Sequence, residues 1–144
     1  MRTSFIVASL LVAAVLAVAA EPLTVDQLKQ RAAAAKVSDQ PGLFMEIAEW
    51  QLKAADNAYN QGKTEQGKAA VDDVAAYCEK AGTAARTSKK HLKHTEIKVR
   101  DLSRKLEAMR RTLSFEDREP LQAAIDRLEK VRNELLTAMF GPRS

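Results

Sequence analysis

Between Arg86 and Arg111 the chain gathers ten Lys and Arg residues against Glu96, Asp101 and Glu107, a net charge of +7. Side chains of that type and density do one kind of chemistry, the electrostatic capture of anions. The candidate face consists of Lys89, Lys90, Lys93, Lys98, Arg100, Arg104, Arg110 and Arg111, most of which fall off the apolar seam of the helix that carries them. No aromatic residue interleaves positions 86 to 111, which argues against stacking on single-stranded bases and disfavours nucleic acid as the partner. The preceding segment, residues 39 to 79, has the opposite balance: eight acids against Lys53, Lys63 and Lys68, a net of −5 inside an overall charge of +4.

Three other groups have suggestive residue types. His91 and His94 are three apart, so both could face one ion from a helix, but Lys89, Lys90, Lys93 and Lys98 around them repel cations, and they read as solvated polar-face residues. Gly62-Lys63-Thr64 has the end of a phosphate-binding loop without its beginning, because Asn57 stands where the first glycine belongs and a helix precedes it. Cys78 is the one cysteine, lies on an apolar seam and reads as a small packed hydrophobe; no intramolecular disulfide is available. No catalytic set, metal site, cofactor site or small-molecule site is read from the sequence.

The elements that position these residues are helices. Ala, Leu, Glu, Lys, Gln and Arg dominate, and no segment alternates apolar and polar residues as a strand would. Arg2 followed by the apolar run Phe5–Ala20, ending in Ala17-Val18-Ala19, reads as a signal peptide over residues 1–20. An uncleaved membrane anchor is the competing reading, and the run is shorter than the roughly 20 residues a spanning helix needs. Residues 21–144 then form one domain, exported to a periplasm or secreted. Thr24 and Gln27 make a capping box for a helix over about 25–36, and Asp39 or Ser38 caps a second over about 40–61, closed by Gly62. Leu43, Phe44, Ile47, Ala48 and Leu52 give that second helix a wide apolar arc, which Trp50 extends.

The 3-4 spacing Leu92, Thr95, Val99, Leu102, Leu106, Met109, Leu113 draws a narrow apolar stripe of coiled-coil type. Stepping backwards continues it through Ser88, Ala85, Ala81, Cys78, Val74 and Val71, so one helix over about 64–113, spanning roughly 75 Å, is the simplest expectation. Gly82 and the small seam residues Ala81, Ala85 and Ser88 weaken the middle, so a break between Gly82 and Ser88 is the alternative. Asp117 and Pro120 open a last helix over about 118–139, antiparallel to its predecessor, with Leu121, Leu128 and Leu135 expected near Leu113, Leu106 and Val99. The fold class is therefore all-α: antiparallel helical hairpins sharing one long central helix, or a compact helical bundle if that helix breaks near Gly82.

Leu23-Thr24-Val25-Asp26-Gln27 is similar to the Leu-Thr-x-x-Gln motif of small periplasmic stress chaperones, and Leu113-Ser114-Phe115-Glu116-Asp117 resembles a degenerate copy with Ser for Thr and Asp for Gln. That resemblance implies an exported, all-helical, disulfide-free holdase using basic helical faces. The reading from the residues themselves is an exported, non-enzymatic, cofactor-free helical protein presenting its basic surface to a protein or an anionic component of the cell envelope. Contact with the membrane is expected only through an uncleaved leader, and the helical seam offers a route to self-association.

Overall fold

A computed structural model describes residues 21–142; the leader expected at residues 1–20 lies outside them. Five α-helices follow in order among the described residues: α1 (Val25–Ala34), α2 (Gln40–Asn60), α3 (Thr64–Ser88), α4 (Leu92–Thr112) and α5 (Arg118–Phe140), with a short 3-10 turn at Phe115–Asp117. The all-α class holds. None of the described helices is long and apolar enough to cross a membrane.

Helix starts follow their sequence signals unevenly. The Thr24 hydroxyl accepts from the Gln27 amide, while the Gln27 side chain accepts from the Thr24 amide, which closes the capping box of α1. Asp39 and Asp117 precede α2 and α5 but make no capping bond with their side chains. Each carboxylate instead accepts from a neighbouring serine, Ser38 or Ser114. Gly62 takes the left-handed φ of 70° that closes α2 and turns the chain into α3.

The single helix expected over residues 64–113 is two helices. α3 runs through Gly82 without interruption and ends at Ser88; Lys89 and His91 then adopt left-handed φ values of 55° and 60°. The Ser88 hydroxyl explains how the turn is held. It donates to the Ala84 carbonyl at 2.8 Å and accepts from the Lys90 amide at 3.3 Å, meeting hydrogen-bonding needs that a continuing helix would otherwise serve. α4 starts after this corner and runs back along the bundle, so the elongated arrangement gives way to the compact one.

The cross-helix ion pairs report the packing. Arg127 of α5 joins Asp72 and Glu79 of α3, and Arg86 joins Glu134, which sets α3 and α5 side by side and parallel. Arg132 joins Glu96 of α4, as an antiparallel α4–α5 hairpin requires. Lys98 joins Glu49 and brings α4 alongside α2. Inside these ties lies one core from all four helices, including Val74, Cys78, Ala81, Val99, Leu102, Leu106, Leu121, Leu128 and Leu135. α1 adds a smaller cluster, Leu28 and Ala32 on Ile47, joined to the main core through Phe44 and Tyr77. Trp50 is half outside the arc assigned to it, 38% exposed with the Lys53 ammonium 5.8 Å from its ring centroid.

Candidate functional site: a basic corner and its groove

Folding divides the eight basic residues of the candidate face into two sets. Lys98 is hydrogen-bonded at 2.8 Å to Glu49, which raises the ammonium above its ordinary value. Arg110 and Arg111 both close on Glu107, and the hydrogen bond from Arg110, the largest influence, holds that carboxyl down to about 2. These three cations are occupied within the bundle. Lys89, Lys90, Lys93, Arg100 and Arg104 make no ion pair among the described residues. All but Arg100 are exposed, and Arg100 is half-buried.

The elements explain why this set is left over. Lys89 and Lys90 sit in the corner itself, between the ends of the two helices, and both are exposed. Lys93, Arg100 and Arg104 follow at helical spacing along α4, on a stripe that also carries Ile97. The oppositely charged acidic block lies on α2 and α3 and is partly committed elsewhere: Glu49 to Lys98, Asp72 and Glu79 to Arg127.

Beside the corner is a groove of about 1020 Å³ between α4 and the last turns of α5. Arg86, Lys89, Lys93 and Arg100 supply its cations, and Glu96, its one acid, is already held by Arg132 at 3.0 Å. Leu92, Ile97, Leu136, Met139 and Phe140 form its apolar lining. Ile97 is 41% and Phe140 80% exposed, so large apolar side chains stand open to water directly beside the unpaired cations. Leu136, Ala138 and Met139 continue the apolar pattern of α5, but none of them is buried. Leu135 and Val131 take the core positions, and their neighbours line the groove.

The other suggestive residues fall elsewhere. His91 is in the corner and His94 in the first turn of α4, both exposed, and no third His, Cys or carboxylate groups with them among the described residues. Cys78 is fully buried in the main core, where burial pushes its thiol well above the ordinary range. Lys63 and Thr64 sit at the α2–α3 turn, where Gly62 is the closing residue of a helix hairpin. The two Leu-Thr-x-x-Gln-like strings have different structures: the first is the capping box of α1, the second the 3-10 turn between α4 and α5. Comparison with protein families, curated proteins and solved structures gives no match to this chain.

Proposed function

We propose that this is an exported, non-enzymatic helical protein whose α3–α4 corner captures an anionic macromolecular partner in the cell envelope. The observation that carries the reading is the unpaired set Lys89, Lys90, Lys93, Arg100 and Arg104, next to cations of the same helix that do find carboxylates. Local energetics works against leaving charge there. Lys89, Lys90 and Lys93 crowd like charges at one end of α4 with no ion pair among the described residues. The first turn of α4 holds Lys93 and no acid, the reverse of what a helix dipole favours. An anion at the corner offsets both the mutual repulsion and the unfavourable dipole. Export rests on the apolar leader Phe5–Ala20.

The test is binding to poly-L-glutamate, with the triple variant Lys89→Glu, Lys90→Glu, Lys93→Glu set against Lys36→Glu, Lys63→Glu, Lys130→Glu. The reading expects the parent and the second variant to bind with affinity that falls as salt passes about 0.15 M, where screening acts within about 8 Å. The corner variant is expected to lose binding while its helical circular dichroism is retained. Equal binding by both variants contradicts the proposal.

Exposed Ile97 and Phe140 beside these cations also favour a second reading, a holdase for unfolded acidic clients. Stoichiometric suppression of client aggregation separates it from capture of one stable partner.

A further inference from the structure

We infer that the groove between α4 and the end of α5 is the seat of an acidic amphipathic helix belonging to the partner protein, which deepens the corner reading and rests on it. Three observations on the groove converge on that occupant.

The first is the combination of charge and grease. Lys93 and Arg100 lie along α4 with Ile97 between them on the same side, and Lys89 stands at the corner end of the same groove. Leu136, Met139 and Phe140 face them from the final turns of α5. A partner helix with apolar residues at i, i+4 and i+7 covers Ile97 and Phe140, and Glu or Asp on its flank meets the cations. A polyanion without an apolar stripe satisfies the cations and leaves Phe140 in water.

The second is length. From Leu92 to Arg100 the groove follows α4 for about 12 Å, which is roughly two turns of a docked helix. The third is shape. At about 1020 Å³ the groove is at the upper end of small-molecule sites, which enclose most of their ligand within roughly 300–1,000 Å³. Apart from Arg86 and Lys89 at one end, only α4 and α5 wall it, so a small amphiphile stays wet along its open side. A helix tolerates that, because its outer face is polar.

The cations specify an acidic partner and the apolar lining specifies an amphipathic one. Glu96 does not oppose this, since its carboxylate is spent on Arg132, which also holds Glu129. The corner brings Lys89 to the same end of the groove as Arg86 from the last turn of α3.

The test uses the full mature chain and a fluorescein-labelled peptide of about 16 residues, with Leu at i, i+4, i+7 and i+11 and Glu on the flanks. A permuted peptide of the same composition lacks the apolar face. Two variants report on different parts: Ile97→Gln with Phe140→Gln alters the lining, and Lys89→Glu with Lys93→Glu alters the rim. Both pairs have an exposed or partly exposed setting, and circular dichroism checks that the fold is kept. The inference expects the parent to prefer the amphipathic peptide over the permuted one by about tenfold or more, in fluorescence anisotropy. The lining variant is expected to lose that preference yet still bind poly-L-glutamate, and the rim variant to lose both ligands. If the lining variant binds the amphipathic peptide like the parent, the groove inference is overturned while the corner reading stands. If the rim variant still binds poly-L-glutamate, the corner reading falls too. Binding to phosphatidylglycerol vesicles without peptide binding assigns the site to a lipid surface and overturns the inference. So does self-association of the chain abolished by the lining variant, which assigns the groove to a second copy.

Discussion

Gly82 and the Lys89–His91 corner lie close together along the chain and behave in opposite ways. Glycine is a poor helix former, yet α3 passes through Gly82 intact. Lysine is a good helix former, yet Lys89 ends the helix in left-handed backbone. The difference is what each position packs against. A Cβ placed on Gly82 would stand 2.7 Å from Val131 Cγ1, so the missing side chain is what lets α5 come close to α3 there. At the corner no buried side chain sits between Ser88 and Leu92, and the backbone follows the serine hydroxyl and the return path of α4 instead. Packing overrides propensity where the core is dense, and the chain turns where the core stops.

That contrast is broken most severely from the packed side. Leu106 is fully buried in the α4 seam, so Leu106→Ala is expected to cost about 2–5 kcal/mol in a urea melt, from lost burial and the cavity left behind. A smaller and more diagnostic loss is expected at Gly82. Alanine there gains about 1 kcal/mol of helix propensity but must displace stiff, β-branched Val131, an overpacking cost of about 1–3 kcal/mol. Gly82→Ala should therefore melt no later than the parent, and a clear rise in stability would show that the α3–α5 approach is looser than described.

From the unpacked side the sign reverses. Lys89→Gly removes the left-handed penalty at φ 55° and should stabilise the fold by about 1 kcal/mol, measured by the same melts. Lys93→Ala, exposed and without an ion pair among the described residues, should stay within about 0.5 kcal/mol. An exposed lysine whose loss costs as much as Leu106 would erase the distinction between the two regions.

Much of the helical framework was legible because its signals are local. The Thr24–Gln27 capping box, the left-handed Gly62 and the Leu92–Leu113 stripe are each written within a turn or two of sequence, and each forms. The corner was legible only at its edge: a break between Gly82 and Ser88 is open from the weak seam, but the turn itself, Lys89-Lys90-His91, contains neither glycine nor proline. The one local signal was Ser88, whose hydroxyl can bond back to a carbonyl one turn earlier. Glycine at 82 drew attention to the wrong place, since its role depends on Val131, far away in sequence. The candidate face was half legible. Charge density marked α4, but only the fold separates Lys98, Arg110 and Arg111, which have partners, from Lys89, Lys90, Lys93, Arg100 and Arg104. The groove's α5 wall was hidden because periodicity places Leu136 and Met139 near the seam, and a residue just off a seam reads the same as one on it.

The most direct measurement of the central claim is an NMR titration of the isotope-labelled chain over residues 21–144 with poly-L-glutamate, followed at the backbone amides and the Lys and Arg side chains. The account predicts that shifts concentrate on Lys89, Lys90, Lys93, Arg100 and Arg104 and recede as salt is raised. Arg127 and Arg132, already engaged by Asp72, Glu79, Glu96 and Glu129, should stay still. Shifts spread evenly over the Lys and Arg residues of all five helices, or absent from the corner, would contradict it.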